Sequence, residues 1–185
     1  RQTAARSPAA VSWQRFRFQT PALGREGPTY IPLKSPPVQG REYLTEADIY
    51  GIEDVADIRF ELTDATGRTL QTLIFWKATD SSTNGDFMGL VTPPNQPFRI
   101  AATGTDRRGA PFRALLRTLI QPAASGVEEP LMLPPGLTPA EQGGARRMVD
   151  AFRQEVAGRA ARAAREHPGG VISLPNFAVS RIAYE

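Results

Sequence analysis

Apolar and polar residues alternate along much of the first 120 positions, and this period of two predicts half-buried β-strands. The clearest case is the segment 58–63, whose even positions are apolar and whose odd positions are polar. A turn at 64–67 contains Asp and Gly and leads into a return strand at 69–76. The last four residues of that strand are apolar at both odd and even positions, so we expect both faces of the strand to be covered there.

Three further strands are predicted at about 86–91, 98–103 and 111–120. The turn at Asp106–Gly109 closes a second hairpin, because Asp can accept hydrogen bonds from the turn and Gly tolerates positive φ. Strands separated by turn signals at roughly 8–12-residue intervals are typical of a β-sandwich.

The pattern in the N-terminal part of the sequence predicts two strands and an extended proline-rich connection, which we call the wrap. Residues 11–18 alternate, but Trp13 lies on one parity and Phe16 on the other, which indicates a bulge between them. Residues 19–42 are rich in proline, so the strand expected at 29–33 belongs at a sheet edge, where a missing amide donor costs least.

Two stretches carry helix signals. Thr45 is followed three residues later by Asp48, which resembles a helix N-terminus that Gly51 would end. A stronger signal is the sequence Thr-Pro-Ala-Glu at 138–141, which places a cap, a first-turn proline and an acid in order and predicts a helix to about Glu166. Two glycines at 143 and 144 weaken its first turns, so a start near 145 is the alternative.

The predicted helix carries one narrow apolar stripe with which it can pack on a sheet. The stripe consists of Ala145, Val149, Phe152, Val156, Ala160 and Ala163, with Met148 beside it. Two short strands follow, at 171–174 and 177–184.

These elements predict a mostly β fold, an Ig-like antiparallel β-sandwich with one long C-terminal flanking helix. We divide the chain into an N-terminal strand and wrap (1–54), a sandwich core (55–122), a linker (123–137), and a helix with terminal strands that pack on the sandwich (138–185). The first residue is Arg, and we expect the chain to be a piece of a longer protein.

Composition narrows the chemistry available. The chain has 185 residues, a net charge of +3, no cysteine and one histidine, His167 at the predicted helix end. Disulfides, thiolate metal sites and a cysteine nucleophile are therefore excluded. A histidine-based catalytic site would have to use His167, which more simply complements the helix dipole, so we expect no enzyme. No run approaches the roughly 18 apolar residues of a membrane span.

A calcium site is the one cofactor hypothesis that the sequence raises. Asp80, Asn84 and Asp86 place oxygen ligands close together around a glycine. The spacing is not that of an EF-hand, and the same residue types are common in turns for conformational reasons. Apart from calcium, we expect no cofactor.

Five residues are candidates for binding. Trp13, Tyr30 and Tyr43 could line a carbohydrate platform, although aromatic residues in strands more often belong to the core. Arg146 and Arg153 give the helix a basic face that could meet an anionic surface, although nearby acids can pair with such arginines. No aromatic platform accompanies them, so nucleic acid is not an expected partner.

Residues 55–120 resemble the Ig-like β-sandwich that follows the von Willebrand factor A-like domain in hemicentin-type extracellular proteins. The matching pieces are Val55–Asp64, Gly67, Leu70–Leu73, Phe87–Pro93, Pro97–Ile100, Gly104, Asp106, Gly109 and Phe112–Arg113. The resemblance implies a secreted adhesive or structural module that has no catalysis of its own. The A domain's metal-dependent adhesion motif is absent from the sequence, and the helix lies outside the matched part.

Our functional expectation is a non-catalytic extracellular binding or structural module that engages other protein chains, or copies of itself, through sheet edges and loops. Edge strands invite pairing, and the segments 11–18 and 177–184 are the ones we expect to pair between subunits. The alternative is an accessory β-domain or subunit of a larger secreted enzyme that binds polysaccharide. The expected location is secreted or at the cell surface, with the periplasm as an alternative.

Overall fold

The computed structural model describes residues 11–25, 27–78, 85–124, 131–166 and 172–174. The elements in chain order are β1 (Ser12–Gly24), β2 (Gly27–Pro32), β3 (Tyr43–Tyr50), a short 3₁₀ turn (Ile52–Asp54), β4 (Val55–Asp64), β5 (Thr69–Thr72), β6 (Ile74–Ala78), β7 (Asp86–Val91), β8 (Phe98–Asp106), β9 (Pro111–Leu115), α1 (Pro139–Glu166) and β10 (Ile172–Leu174).

The strands form two sheets. One has six strands in the order β10-β6-β7-β3-β1-β2, and the other has four in the order β5-β4-β8-β9. Every pairing is antiparallel except that of β10 with β6. The fold is thus mostly β, with two mainly antiparallel sheets and one C-terminal helix, as the alternation predicted. The six-stranded sheet draws strands from both sides of residue 54.

An aromatic core holds the two sheets together. Phe60 of β4 is fully buried and stacks on Phe75 of β6, with 4.2 Å between ring centroids. Phe18 of β1 meets Phe98 of β8 edge to face at 6.2 Å. Each of these pairs joins one sheet to the other, and such pairs stabilise a core beyond the area they bury.

The predicted strand at 69–76 is two strands, and this part of the prediction was wrong. β5 pairs with β4, whereas β6 pairs with β7 in the other sheet. Leu73 lies at the break, and its amide donates to the carbonyl of Phe60 at 2.8 Å. The expectation that both faces of this segment are covered is confirmed, because Phe75 and Trp76 are each 1% exposed.

The helix signal at Thr45 was also misleading, because residues 43–50 form the central strand β3. This strand pairs with β1 on one side and β7 on the other. The Thr45 hydroxyl donates to the carbonyl of Gly89 at 3.0 Å rather than capping a helix. Two ladders of long-range hydrogen bonds and a buried face outweigh a local capping preference.

Several local predictions are confirmed. The register of β1 shifts between Trp13 and Arg15, which is the expected bulge. β2 lies at a sheet edge. In the β8–β9 hairpin, Asp106 Oδ1 accepts from the amides of Arg108 and Ala110. The strand expected at 171–174 appears as β10, and the one at 177–184 lies outside the described residues.

α1 forms a third layer on the outer face of the six-stranded sheet. Thr138 Oγ1 accepts from the Glu141 amide at 3.2 Å and contacts the Glu141 carboxylate at 2.9 Å, so the helix begins at Pro139 and the alternative start near 145 was wrong. The predicted stripe is buried from Ala145 to Ala160. Phe152 and Val156 pack there with other apolar side chains, namely those of Leu44, Trp76, Leu90 and Ala160.

Candidate functional site

The two sheets leave an opening along one side, which we call the lateral cleft. β2 pairs only with Gln19–Gly24, so the edge of β1 from Ser12 to Arg17 has no strand partner among the described residues. On the other sheet, β9 pairs with β8 and with no other described strand. Two strand edges therefore border the same opening.

The lateral cleft has a volume of about 730 Å³ and an apolar floor. Its rim includes Arg15, Arg117 and Tyr50, the last of which is 56% exposed. Its apolar lining is formed by Val11, Trp13, Phe16, Phe18, Ala114, Leu115, Leu116 and Ile120. An apolar floor between two strand edges can accept both the backbone and the side chains of an extended segment.

Trp13 spans this cleft. Its indole Nε1 donates to the carbonyl of Ala114 in β9 at 2.9 Å. Its ring meets Phe16 at 5.9 Å and Phe60 at 5.8 Å, both edge to face. Trp13, a predicted binding residue, thus joins the two sheets and remains partly exposed in the opening.

The other four predicted binding residues meet in a second depression, which lies between α1 and strands β1–β3. We call it the helix cleft, and its volume is about 300 Å³. Its lining residues are Gln19, Thr20, Pro21, Tyr30, Leu33, Arg41, Glu42, Tyr43, Leu44, Leu131, Arg146, Val149, Asp150 and Arg153. The sequence nominated Tyr30, Tyr43, Arg146 and Arg153 separately, and the fold places them together.

The two tyrosines have different roles in the helix cleft. Tyr43 is 6% exposed, and its hydroxyl accepts from the Val38 amide at 2.9 Å, so it belongs mainly to the core. Tyr30 is half-buried, with its ring 5.2 Å from that of Phe152. Burial raises the pKa of Tyr30 to about 12, although the charge of Arg153 opposes the shift. The phenol is therefore a neutral hydrogen-bond donor near neutral pH.

The acids on the helix do not neutralise the cleft arginines. Glu155 pairs with Arg159 at 2.5 Å, as expected for residues four apart on a helix. Asp150 lies between Arg146 and Arg153 in sequence, but no salt bridge among the described residues includes any of these three. Both arginines are exposed and line the cleft.

Of the calcium candidates, Asp80 and Asn84 lie outside the described residues. Asp86 lies at the start of β7 and shares a hydrogen bond with Asp48 of β3. Arg15 Nε donates to Asp48 Oδ2 at 2.8 Å. Burial and the Asp86 hydrogen bond raise the pKa of Asp48, while Arg15 opposes the shift. The part of the chain that the structure describes holds no group of three or more metal-ligating carboxylates or imidazoles.

Comparison with known proteins finds no matching family model, no matching curated protein and no matching solved structure. The resemblance to the hemicentin-type domain thus rests on the sequence pieces quoted above. None of the helices in the described ranges is long and apolar enough to cross a membrane.

Gln19 and Arg41 are among the polar residues of the helix cleft that sequence reasoning missed. Gln19 lies in the strand β1 and Arg41 just before β3, and neither belongs to a recognisable motif. Only the assembled fold shows that they line a common depression. No local signal in the sequence could have identified them.

Proposed function

We propose that this chain is a non-catalytic protein-binding module that receives an extended strand from another chain in the lateral cleft. The observation that carries the proposal is that two strand edges without a described strand partner border one opening with an apolar floor. Unpaired edge amides and carbonyls provide main-chain hydrogen bonds, and the floor provides pockets for alternate side chains.

The occupant that we propose is the segment Phe177–Tyr184 of a second copy. Its sequence predicts a strand with Phe177 and Val179 on one parity and Ile182 and Tyr184 on the other. An entering strand with apolar side chains could fill the floor of the cleft while its backbone pairs with the edge at Ser12–Arg17.

The strand order of the sheet and the length of the connecting chain favour pairing of this segment with β1 of a second copy over pairing with β1 of its own copy. β10 and β1 are separated by β6, β7 and β3 in the sheet order, and the entering strand would lie one position beyond β1. Five strand spacings amount to about 24 Å. Phe177 follows Leu174 by three residues, which span at most about 11 Å. This difference in length supports pairing of the segment with a second copy rather than with its own β1 edge.

We also propose that the fold is an Ig-like sandwich and that the protein is secreted or lies at the cell surface. Two sheets with a crossing of the chain from β5 to β6 support an Ig-like sandwich, as do the sequence pieces that resemble the hemicentin-type domain. That resemblance also supports a secreted or cell-surface location.

The test is the association of the full chain and of a variant, Val179→Pro, which removes one amide donor from the proposed entering strand. Light scattering with size-exclusion chromatography would measure mass at several concentrations. Hydrogen exchange would measure protection of the amides of Ser12–Arg17. We expect the wild type to form dimers and to protect these amides as its concentration rises, and the variant to do neither. A matched control, Ala65→Pro, places proline at an exposed position in the turn after β4, which does not line the lateral cleft, and should associate like the wild type.

Two results would overturn the proposal. One is a wild-type chain that stays monomeric at every concentration tested. The other is a Val179→Pro variant that associates, and protects β1, as strongly as the wild type does.

A further inference from the structure

The helix cleft contains a buried acceptor without a partner. Gln19 is 8% exposed, and its Nε2 donates to Glu46 Oε2 at 3.1 Å. Its Oε1 has no hydrogen-bond partner within the described ranges. Buried polar atoms are nearly always paired, and Gln19 lines the cleft, so a small movement of this side chain would let a ligand in the cleft supply the donor.

The same cleft has an excess of positive charge. Arg41, Arg146 and Arg153 line it, against two acids, Glu42 and Asp150. Arg146 and Arg153 lie seven residues apart on α1, which places them on one face about 10 Å apart along the axis. A guanidinium offers two parallel donors to a carboxylate, so a planar anion fits this side of the cleft.

Tyr30 lines the same cleft and is a neutral donor whose ring packs against Phe152. A ligand that satisfies all three features carries a negative charge for the arginines, a donor for Gln19 Oε1 and an acceptor for the Tyr30 hydroxyl, and an acidic sugar has all of these. A volume of about 300 Å³ is at the lower end for small-molecule sites and suits one ring-sized group.

We propose that the helix cleft binds an acidic saccharide residue, a uronic acid, whose carboxylate contacts Arg146 or Arg153 and whose hydroxyl donates to Gln19 Oε1. This inference is independent of strand exchange in the lateral cleft, because the two depressions share no lining residue. It gives the chain a carbohydrate-binding role in addition to protein binding.

The test compares four probes on the full chain by calorimetry and NMR titration: glucuronate, glucose, inorganic phosphate and sulfate. We expect glucuronate to bind, glucose to bind at least about tenfold more weakly, and the inorganic anions to bind more weakly than glucuronate because they lack the sugar hydroxyls. Arg153→Gln should weaken glucuronate binding by about tenfold or more, since it removes a charge-assisted contact.

Arg147→Gln is the matched control, because Arg147 is exposed on the same helix but does not line the cleft. It should leave glucuronate affinity unchanged. Gln19→Met should weaken glucuronate binding and leave phosphate binding unaltered. If that variant does not fold, Tyr30→Phe tests the donor side of the cleft in the same way.

Three results would overturn the proposal. Equal affinity for glucuronate and glucose would show that the arginines play no part. Equal affinity for glucuronate and phosphate would indicate a general anion site. An equal loss in Arg147→Gln and Arg153→Gln would show that the effect is diffuse surface charge.

Discussion

The indole Nε1 of Trp13 donates to the carbonyl of Ala114 at 2.9 Å, and this bond joins the two sheets at their open side. Trp13 belongs to β1 and Ala114 to β9, the two strands that border the lateral cleft. One side chain thus limits how far the sheets separate and occupies a carbonyl of the β9 edge. The remainder of the opening is left for the proposed strand.

Trp13→Phe tests this link. The variant keeps an aromatic ring against Phe60 but loses the hydrogen bond, so we expect the free energy of unfolding to fall by about 1–2 kcal/mol. Urea denaturation followed by circular dichroism would measure it. Tyr50→Phe is the control, because Tyr50 is 56% exposed on the rim and its change should alter stability by less than about 0.5 kcal/mol. Equal effects of the two changes would contradict the role of Trp13.

Gly89→Ala tests how closely the ring of Phe75 packs against residue 89 of β7. A Cβ at residue 89 would lie 2.3 Å from Cε2 of Phe75, whose ring is stacked on Phe60. We expect a loss of about 1–3 kcal/mol, because the core cannot accept the added methyl group without moving an aromatic ring. Thermal denaturation would measure the change.

Gly143→Ala should have the opposite effect on stability. The added Cβ would meet only Arg147 Nη1, at 3.5 Å, in the first turns of α1. Alanine is the better helix former, so this variant should gain up to about 1 kcal/mol. If both glycine variants changed stability in the same direction, the described packing of β7 or of α1 would be wrong.

Asp48→Asn should alter the pH dependence of stability. The pKa of Asp48 is raised above its ordinary value of 3.8, first by burial and then by the Asp86 hydrogen bond. A raised pKa means that the folded state holds the proton more firmly than the unfolded chain does. The contribution of this group is therefore fully present below about pH 3.8 and is lost as the pH rises through the folded pKa.

The measurement is the difference in unfolding free energy between Asp48→Asn and the wild type from pH 3 to pH 8. We expect the difference to move in favour of the variant as the pH rises, because a buried carboxyl group is costly once it is charged and the amide stays neutral. A difference that moves the other way would show that the contact with Arg15 dominates.

Asp64→Asn should change the pH dependence of stability in the opposite direction to Asp48→Asn. Asp64 Oδ1 accepts from the amides of Thr66 and Arg68, each at 2.9 Å, and from the Thr66 hydroxyl. These bonds, the hydroxyl's first, lower the pKa of Asp64. Its contribution is present above about pH 3.8 and is lost as the pH falls through the folded pKa. The variant should therefore be less stable than the wild type at neutral pH, and the gap should close in acid.

Asp54→Asn is the matched control for this turn. Asp54 is an exposed acid in the short 3₁₀ turn before β4, and its change should alter stability at neutral pH by less than about 0.5 kcal/mol. A constant difference between Asp64→Asn and the wild type across the acid range would contradict the proposed role of the turn.

How much of the fold the sequence predicts depends on how local each signal is. The β8–β9 hairpin and the start of α1 were predicted from Asp106, Gly109 and Thr138, because their hydrogen bonds close within a few residues. The segment of β3 was ambiguous in the sequence and resembled a helix start, because its two partners, β1 and β7, are distant in sequence. The break at Leu73 was missed for the same reason.

The candidate binding residues also divide into features that the sequence could identify and contacts that it could not. The residue types of Trp13, Tyr30, Arg146 and Arg153 could be nominated from the sequence, because aromatic and guanidinium groups carry recognisable chemistry. Their grouping could not, since Tyr30 and Arg153 are 123 positions apart and meet only because α1 packs on the six-stranded sheet.

By itself, the sequence determined the mostly β class, the long C-terminal helix and the absence of disulfides, since these depend on residue types and on alternation along the chain. Only the tertiary structure decided which strand edges lack a partner among the described strands, that the buried Gln19 lines the same cleft as three arginines, and that the lateral cleft lies between β1 and β9. Those features depend on contacts between distant segments. The free energy of such contacts comes from burial and pairing across the fold, which no short stretch of sequence records.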